Sequence, residues 1–190
     1  VGMSNMLNNL GGIYLSQGSN DKALDYYLRS LSLAETIRNP LRITSVLPNI
    51  GGVYGDINEY DKALKYFNQM EQYLTVLNNQ QITTFYLMGI GEVYRKMGDL
   101  DMALEFYEEA LLLNEGNDNH SHILTLLGTI ELDKGNNDKS IEYLNLAYEI
   151  AKNRDQQWEV IQSLLTLGKA YQNINTSKAL KAYKDAEILA

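Results

Sequence analysis

Cysteine is absent from the 190 residues. That excludes a disulfide framework and any thiolate metal site. It leaves the compartment open, because reducing and oxidising spaces both hold cysteine-free proteins. Basic residues are scarce, with 16 Lys and Arg against 24 Asp and Glu, for a net charge of −8. The basic residues are also scattered, so nucleic acid is excluded as a partner of this region, since phosphate binding requires clustered cations. No apolar run approaches the ~18 residues of a membrane span, and no signal-peptide pattern is present. Histidine occurs twice, as His120 and His122. Two positions apart on a helix, they do not share a face, so they make no metal site. A Ser-His-Asp set, a phosphate loop and a thiol nucleophile are all missing. We therefore expect no enzyme, no cofactor and no metal. The two prolines and 45% hydrophobic content belong to an ordinary globular composition.

What is present is repetition. Five stretches align: NLGGIYLSQG (9–18), NIGGVYGDIN (49–58), GIGEVYRKMG (89–98), LLGTIELDKG (126–135) and TLGKAYQNIN (166–175), at offsets of 40, 40, 37 and 40. A second block follows each: DKALDYY (21–27), DKALKYF (61–67), DMALEFY (101–107), DKSIEYL (138–144) and SKALKAY (177–183). Each repeat thus reads as two amphipathic helices, A then B, joined by a tight turn. The first block ends on Gly18, Asn58, Gly98, Gly135 or Asn175. Gly and Asn are the residues that best tolerate the positive φ with which helices commonly end. Helix B then opens on Asp21, Asp61, Asp101 and Asp138, whose carboxylates complement a helix N-terminus; repeat 5 has Ser177 instead.

Helix pairing is also legible. Leu7, Leu10, Gly11 and Tyr14 follow i, i+3, i+4, i+7, one helical face. Gly recurs as Gly11, Gly51, Gly91, Gly128 and Gly168. A mid-helix Gly costs about 1 kcal/mol against Ala, so we expect close helix crossing there, facing Ala23, Ala63, Ala103, Ser140 or Ala179. The large aromatics, such as Tyr14 with Tyr27, would fill the space alongside. A further stripe, Ile13, Val53, Val93, Ile130 and Ala170, is expected to pack on the neighbouring repeat. Trp158 is expected to pack where the last helix A begins.

The pattern Leu10-Gly11…Tyr14…Gly18…Ala23…Tyr27 resembles the tetratricopeptide repeat family. Repeats 2, 3 and 5 match nearly as well, while repeat 4 has Glu131 and Leu144 in the aromatic places. The resemblance implies an all-α fold, an α-solenoid of five helical hairpins in a right-handed superhelix with the A helices on its concave wall. We expect one array over 1–190, with repeats near 1–38, 39–78, 79–115, 116–153 and 154–190. The period exceeds the family's usual ~34 residues, and such extended repeats resemble those of bacterial signalling and regulatory proteins. The implied function is non-catalytic binding of a peptide or protein, in the sensory or regulatory region of a larger signalling protein. The alternative is a self-assembly or spacer scaffold that dimerises or positions neighbouring domains. A cytoplasmic location is expected, with a periplasmic sensor region as the alternative.

Counting ~100° per residue from the buried face of helix A gives a groove face. It carries Asn5, Asn9, Gly12 and Ser16 in repeat 1, Ser45, Asn49, Gly52 and Asp56 in repeat 2, Phe85, Gly89, Glu92 and Lys96 in repeat 3, His122, Leu126, Thr129 and Asp133 in repeat 4, and Gln162, Thr166, Lys169 and Asn173 in repeat 5. The peptide-binding candidates are Asn5, Asn9, Ser45, Asn49, Phe85, Glu92, Lys96 and His122. An amide offers both a donor and an acceptor, so an Asn9–Asn49 ladder suits an extended peptide backbone; the plainer reading is solvated polar residues. Phe85 either anchors a ligand or is covered by a neighbouring repeat. Pro48 lies within helix A of repeat 2, where it has no N–H for the Thr44 carbonyl and should bend the helix.

Both ends of the pattern are apolar. Met3, Met6 and Leu7 already belong to helix A, and the chain stops at Ile188-Leu189-Ala190 within helix B. We read the chain, which begins at Val1, as a piece of a longer protein. We expect its C-terminal end to be covered by further helices or by another copy in a homo-oligomer.

Overall fold

A computed structural model describes residues 2–114 and 119–190. All secondary structure among them is helical. Two compact units divide the chain. The first, Val1–Asp99, holds α1 (Gly2–Ser16), α2 (Asn20–Thr36), α3 (Pro40–Asp56), α4 (Tyr60–Leu77) and α5 (Gln80–Met97). The second, Leu100–Ala190, holds α6 (Leu100–Leu113), α7 (His120–Asp133), α8 (Asn137–Asn153), α9 (Gln157–Tyr171) and α10 (Thr176–Leu189). Odd-numbered helices are the A helices and even-numbered ones the B helices. The boundary expected between repeats 3 and 4, at 115 and 116, lies outside the described residues.

The turns follow from single residues. Gly18, Asn58, Gly98 and Gly135 adopt φ of 71°, 62°, 85° and 82°. The next residue then donates back to the recurrent Tyr position, as in Ser19 N to Tyr14 O (2.9 Å) and Asn136 N to Glu131 O (2.8 Å), satisfying carbonyls that the helix end leaves open. Asn175 departs from the expected pattern. It is extended, with φ −152°, and its side chain accepts from Lys178 N, capping α10. The B-to-A turns use the same left-handed device, at Arg38, Asn78 and Asp155. Asn39 and Asn79 then cap α3 and α5 by accepting from Arg42 N and Ile82 N, both at 3.1 Å.

The recurrent mid-helix Gly does admit a close crossing; at Gly128 the expected Ser140 is there, donating to its carbonyl at 2.7 Å, but Gly11, Gly51 and Gly168 face a helix B ring rather than the small residue. A Cβ on Gly51 would lie 2.6 Å from the Phe67 ring, and one on Gly89 would lie 2.2 Å from the same ring. Phe67 is thus seated between α3 and α5. Gly89, counted on the groove face, therefore serves packing. The A-helix tyrosines stack on the residue before that ring. Tyr14 lies on Tyr26 at 5.2 Å between centroids, and Tyr54 on Tyr66 at 5.5 Å. A helix B lysine covers the A-helix ring: Lys22 over Tyr14, Lys62 over Tyr54 and Lys178 over Tyr171.

Repeat 4 solves the same contact differently. Glu131 stands in the Tyr place with 1% of its surface exposed. Lys139, in the lysine register of helix B, donates to it at 2.5 Å, and Asn136 donates at 2.8 Å. Burial alone would push this carboxyl up. The hydrogen bonds from Lys139 and Asn136, with the charges of Lys139 and Lys134, hold it below its ordinary value. The Glu131 hydrogen bond in turn raises Lys139.

Two further expectations change. Trp158 does not pack at the start of α9 but is 64% exposed. Leu10 and Ile13 are exposed on α1 rather than buried. Pro48 lies inside α3, which runs from Pro40 to Asp56.

Candidate ligand groove

The helical register brings three of the expected groove residues together in the first unit. Ser45 and Asn49 of α3 and Phe85 of α5 line a cleft of about 530 Å³. Its remaining lining is Leu41, Thr44, Pro48, Met70, Asn79, Gln81 and Ile82. None of these ten side chains carries a charge. Phe85 is 46% exposed and Leu41 57%, so two apolar side chains stand open at the cleft beside amides and hydroxyls. The Thr44 hydroxyl is turned inward to the Pro40 carbonyl at 3.0 Å, and the Ser45 hydroxyl to the Arg42 carbonyl at 2.8 Å. Pro48 supplies no N–H to the Thr44 carbonyl, and both residues line the cleft.

The amide ladder exists, but one residue over from the expected place. Asn49 Nδ2 donates to Asn8 Oδ1 at 2.9 Å and to the Ser45 carbonyl at 3.3 Å. Asn8, not Asn9, faces α3; Asn9 is exposed. Asn9 stands 40 residues before Asn49, in the same register, and Asn8 is its neighbour on the side of α3. Asn5 is held across the same interface, its side-chain carbonyl accepting from the Arg42 guanidinium.

Glu92 and Lys96 form a separate charged set. Glu92 binds Arg95 through two bonds of 2.8 and 2.9 Å. Lys96 pairs with Asp56, and with Glu92 at 3.9 Å. These charges neutralise one another. His122 belongs to the second unit and is partly buried. Burial lowers its pKa, against the opposing charge of Glu159. His120 contacts the Asn114 carbonyl through Nδ1 at 3.0 Å. Among the described residues, no group of three or more His, Cys, Asp or Glu side chains is placed to hold a metal, and no helix is long and apolar enough to cross a membrane.

Of the lining, sequence reasoning missed Leu41, Met70, Asn79, Gln81 and Ile82. The signal for Leu41 and Gln81 was the spacing of 40 itself. They occupy the same position one repeat apart, one helical turn before Ser45 and Phe85.

Stacked helical hairpins of this kind generally serve as a protein-interaction and scaffold module. The chain belongs to the tetratricopeptide repeat family, whose profile matches residues 2–72 and 81–153. No curated protein sequence matches it. Among solved structures it is similar to BtubC (BKLC) from P. vanneervenii, with TM-score 0.77 and 18% identity over 90% of this chain and 73% of that one. It is also similar to TTC0263, a thermophilic TPR protein in Thermus thermophilus, with TM-score 0.75 and 18% identity over 98% and 91%. At these identities the likeness concerns the fold.

Proposed function

We propose that this chain binds an extended polypeptide segment along its A helices, seating an uncharged apolar side chain of that segment in the α3–α5 cleft. The observation that carries the reading is the cleft of about 530 Å³, with Phe85 at its edge and no charge in its lining. Exposed aromatics beside fixed polar groups are the usual form of a binding hot spot. The Asn8–Asn49 bridge holds the Asn49 amide in one orientation, leaving its oxygen to accept from a ligand N–H. On this reading residues 1–190 act as one array, the non-catalytic sensory or regulatory region of a larger bacterial signalling protein working in the cytoplasm.

The test is selection from a random peptide library, followed by calorimetry. Selected peptides should carry a central aromatic or aliphatic residue and bind with little dependence on salt, because no cleft residue is charged. Phe85→Ala should weaken them by about tenfold or more, on the scale of a hot-spot truncation. Peptides that bind Phe85→Ala and Asn49→Ala as well as the parent would place the site elsewhere.

A further inference from the structure

A main-chain carbonyl that its own helix does not supply with the usual donor borders the α3–α5 cleft. The chain has two prolines. Pro40 opens α3, where the first turn needs no N–H. Pro48 lies inside the same helix, four residues after Thr44. The residue that would donate to the Thr44 carbonyl therefore has no N–H to give. Both residues line the cleft. At the same register the other A helices carry Asn8, Met88, Thr125 and Leu165, each with an N–H. This break in the donor series occurs in one A helix of the five, beside the half-exposed ring of Phe85.

The side chains of the α3 wall have also spent their donors. The Thr44 hydroxyl is turned to the Pro40 and Leu41 carbonyls, at 3.0 and 3.2 Å, and the Ser45 hydroxyl donates to the Arg42 carbonyl at 2.8 Å. Asn49 Nδ2 uses its two hydrogens on Asn8 Oδ1 at 2.9 Å and on the Ser45 carbonyl at 3.3 Å. A carbonyl only accepts, so the Ser45 contact fixes which end of that amide is nitrogen. What α3 offers the cleft is acceptors: the Asn49 oxygen, the lone pairs of two hydroxyls and the Thr44 carbonyl. A group entering beside them must bring the hydrogen. The side chain that fills the cleft is apolar, so the nearest hydrogen is on the main chain of the bound segment. A segment with no N–H at that point leaves a covered carbonyl unpaired, a larger loss than the missing bond alone.

We propose that Pro48 is a specificity-determining residue: it reserves the Thr44 carbonyl for a main-chain N–H of the bound segment, within one residue of the side chain seated against Phe85. This role presupposes the peptide-binding reading and adds to it a demand on the ligand. Proline, or any residue without an N–H, is excluded from that one position of the segment. The demand also sets the register. Neighbouring A helices repeat much of the same surface, but none of them repeats the proline, so a segment shifted by one repeat loses this bond.

An N-methyl scan read by calorimetry tests it. The probe is the tightest library-selected peptide, with each main-chain N–H replaced in turn by N–CH3. On the parent chain, a position within one residue of the anchor should lose about tenfold in affinity. Pro48→Ala gives the helix its own donor. That variant should bind the unmodified peptide about fivefold more weakly, and the penalty at the sensitive position should disappear. Pro48→Met, which copies Met88 of α5, should behave the same way, and circular dichroism verifies that both variants are folded. Asn49→Ala should keep that penalty, because it removes a different acceptor. N-methylation restrains the peptide equally whichever protein it meets, so the difference between the two scans is the readout. Peptides that need Phe85 but give the same scan on Pro48→Ala as on the parent overturn the role of Pro48 and leave the peptide-binding reading standing. Peptides indifferent to both Phe85→Ala and Asn49→Ala overturn that reading, and the role of Pro48 with it.

Discussion

Replacing Lys139 by Met isolates what the buried Glu131 needs. Removing one partner of a fully buried ion pair costs about 3–5 kcal/mol. The Lys139 side chain is 49% exposed while that of Glu131 is 2% exposed, so water and screening reduce that figure, and we expect about 2 kcal/mol at pH 7. For a chain of this size that lowers the melting temperature by about 4–8 °C. The pH dependence gives the sharper signature. In the parent, Glu131 is held below its ordinary value of 4.5. The folded state therefore binds fewer protons than the unfolded one, and the pair's contribution is complete above 4.5 and drains away as pH falls below it. In Lys139→Met burial dominates, and the carboxyl takes up its proton early. The deficit should shrink on going from pH 7 to a pH well below 4.5, where the parent's carboxyl also takes up its proton. Urea titrations of parent and variant at the two pH values measure it. An equal deficit at both, or none at pH 7, would refute the ion-pair account. Glu131→Tyr with Lys139 retained should cost less than about 1 kcal/mol, because it recreates the cation–ring contact of repeats 1, 2 and 5 beside Tyr143.

Other outcomes follow from the packing. Gly51→Ala places a Cβ 2.6 Å from Phe67 and should cost about 1–3 kcal/mol. Gly52→Ala meets nothing within 4 Å and should gain up to about 1 kcal/mol from helix propensity; thermal melts of the two variants compare the signs. Pro48→Ala restores a donor to the Thr44 carbonyl and should raise stability while weakening any peptide that uses that carbonyl, a split read by melting and calorimetry together. Thr125→Val leaves the Ser163 hydroxyl, fully buried, without its partner across α7 and α9, and should cost about 1 kcal/mol in a urea titration.

The hairpins were legible because each rests on a local rule. Gly18, Asn58, Gly98 and Gly135 end helices for reasons of φ alone, and the spacing of 40 carries the register. Asn175 was misread because Asn serves two ends of a turn, tolerating positive φ at one and capping at the other. The facing of Gly51 could not be read from composition. A ring reaching from Phe67 and a methyl at Ala63 lie on one helical face, and only the crossing geometry chooses between them. That Asn8 rather than Asn9 meets Asn49 depends on how α1 and α3 lie side by side, which a count along one helix does not contain. Ser45, Asn49 and Phe85 line one cleft, as a count at helical spacing places them on one face, because α3 and α5 have buried faces that fix their rotation. Met70 and Asn79 enter the cleft from α4 and the following turn, outside any count along helix A.

The seat of Phe67 bears on how unfolding spreads. One ring fills the hollow at Gly51 within its own hairpin and the hollow at Gly89 on the next A helix. In a linear chain of repeats, stability divides into a term for each repeat and a term for each junction. Here a single side chain belongs to both. Trimming it would loosen hairpin 2 and release α5 together, so the opening of one should appear in hydrogen exchange as the opening of the other. The boundary between a repeat and its neighbour, clear in the sequence period, is not a boundary in the energetics.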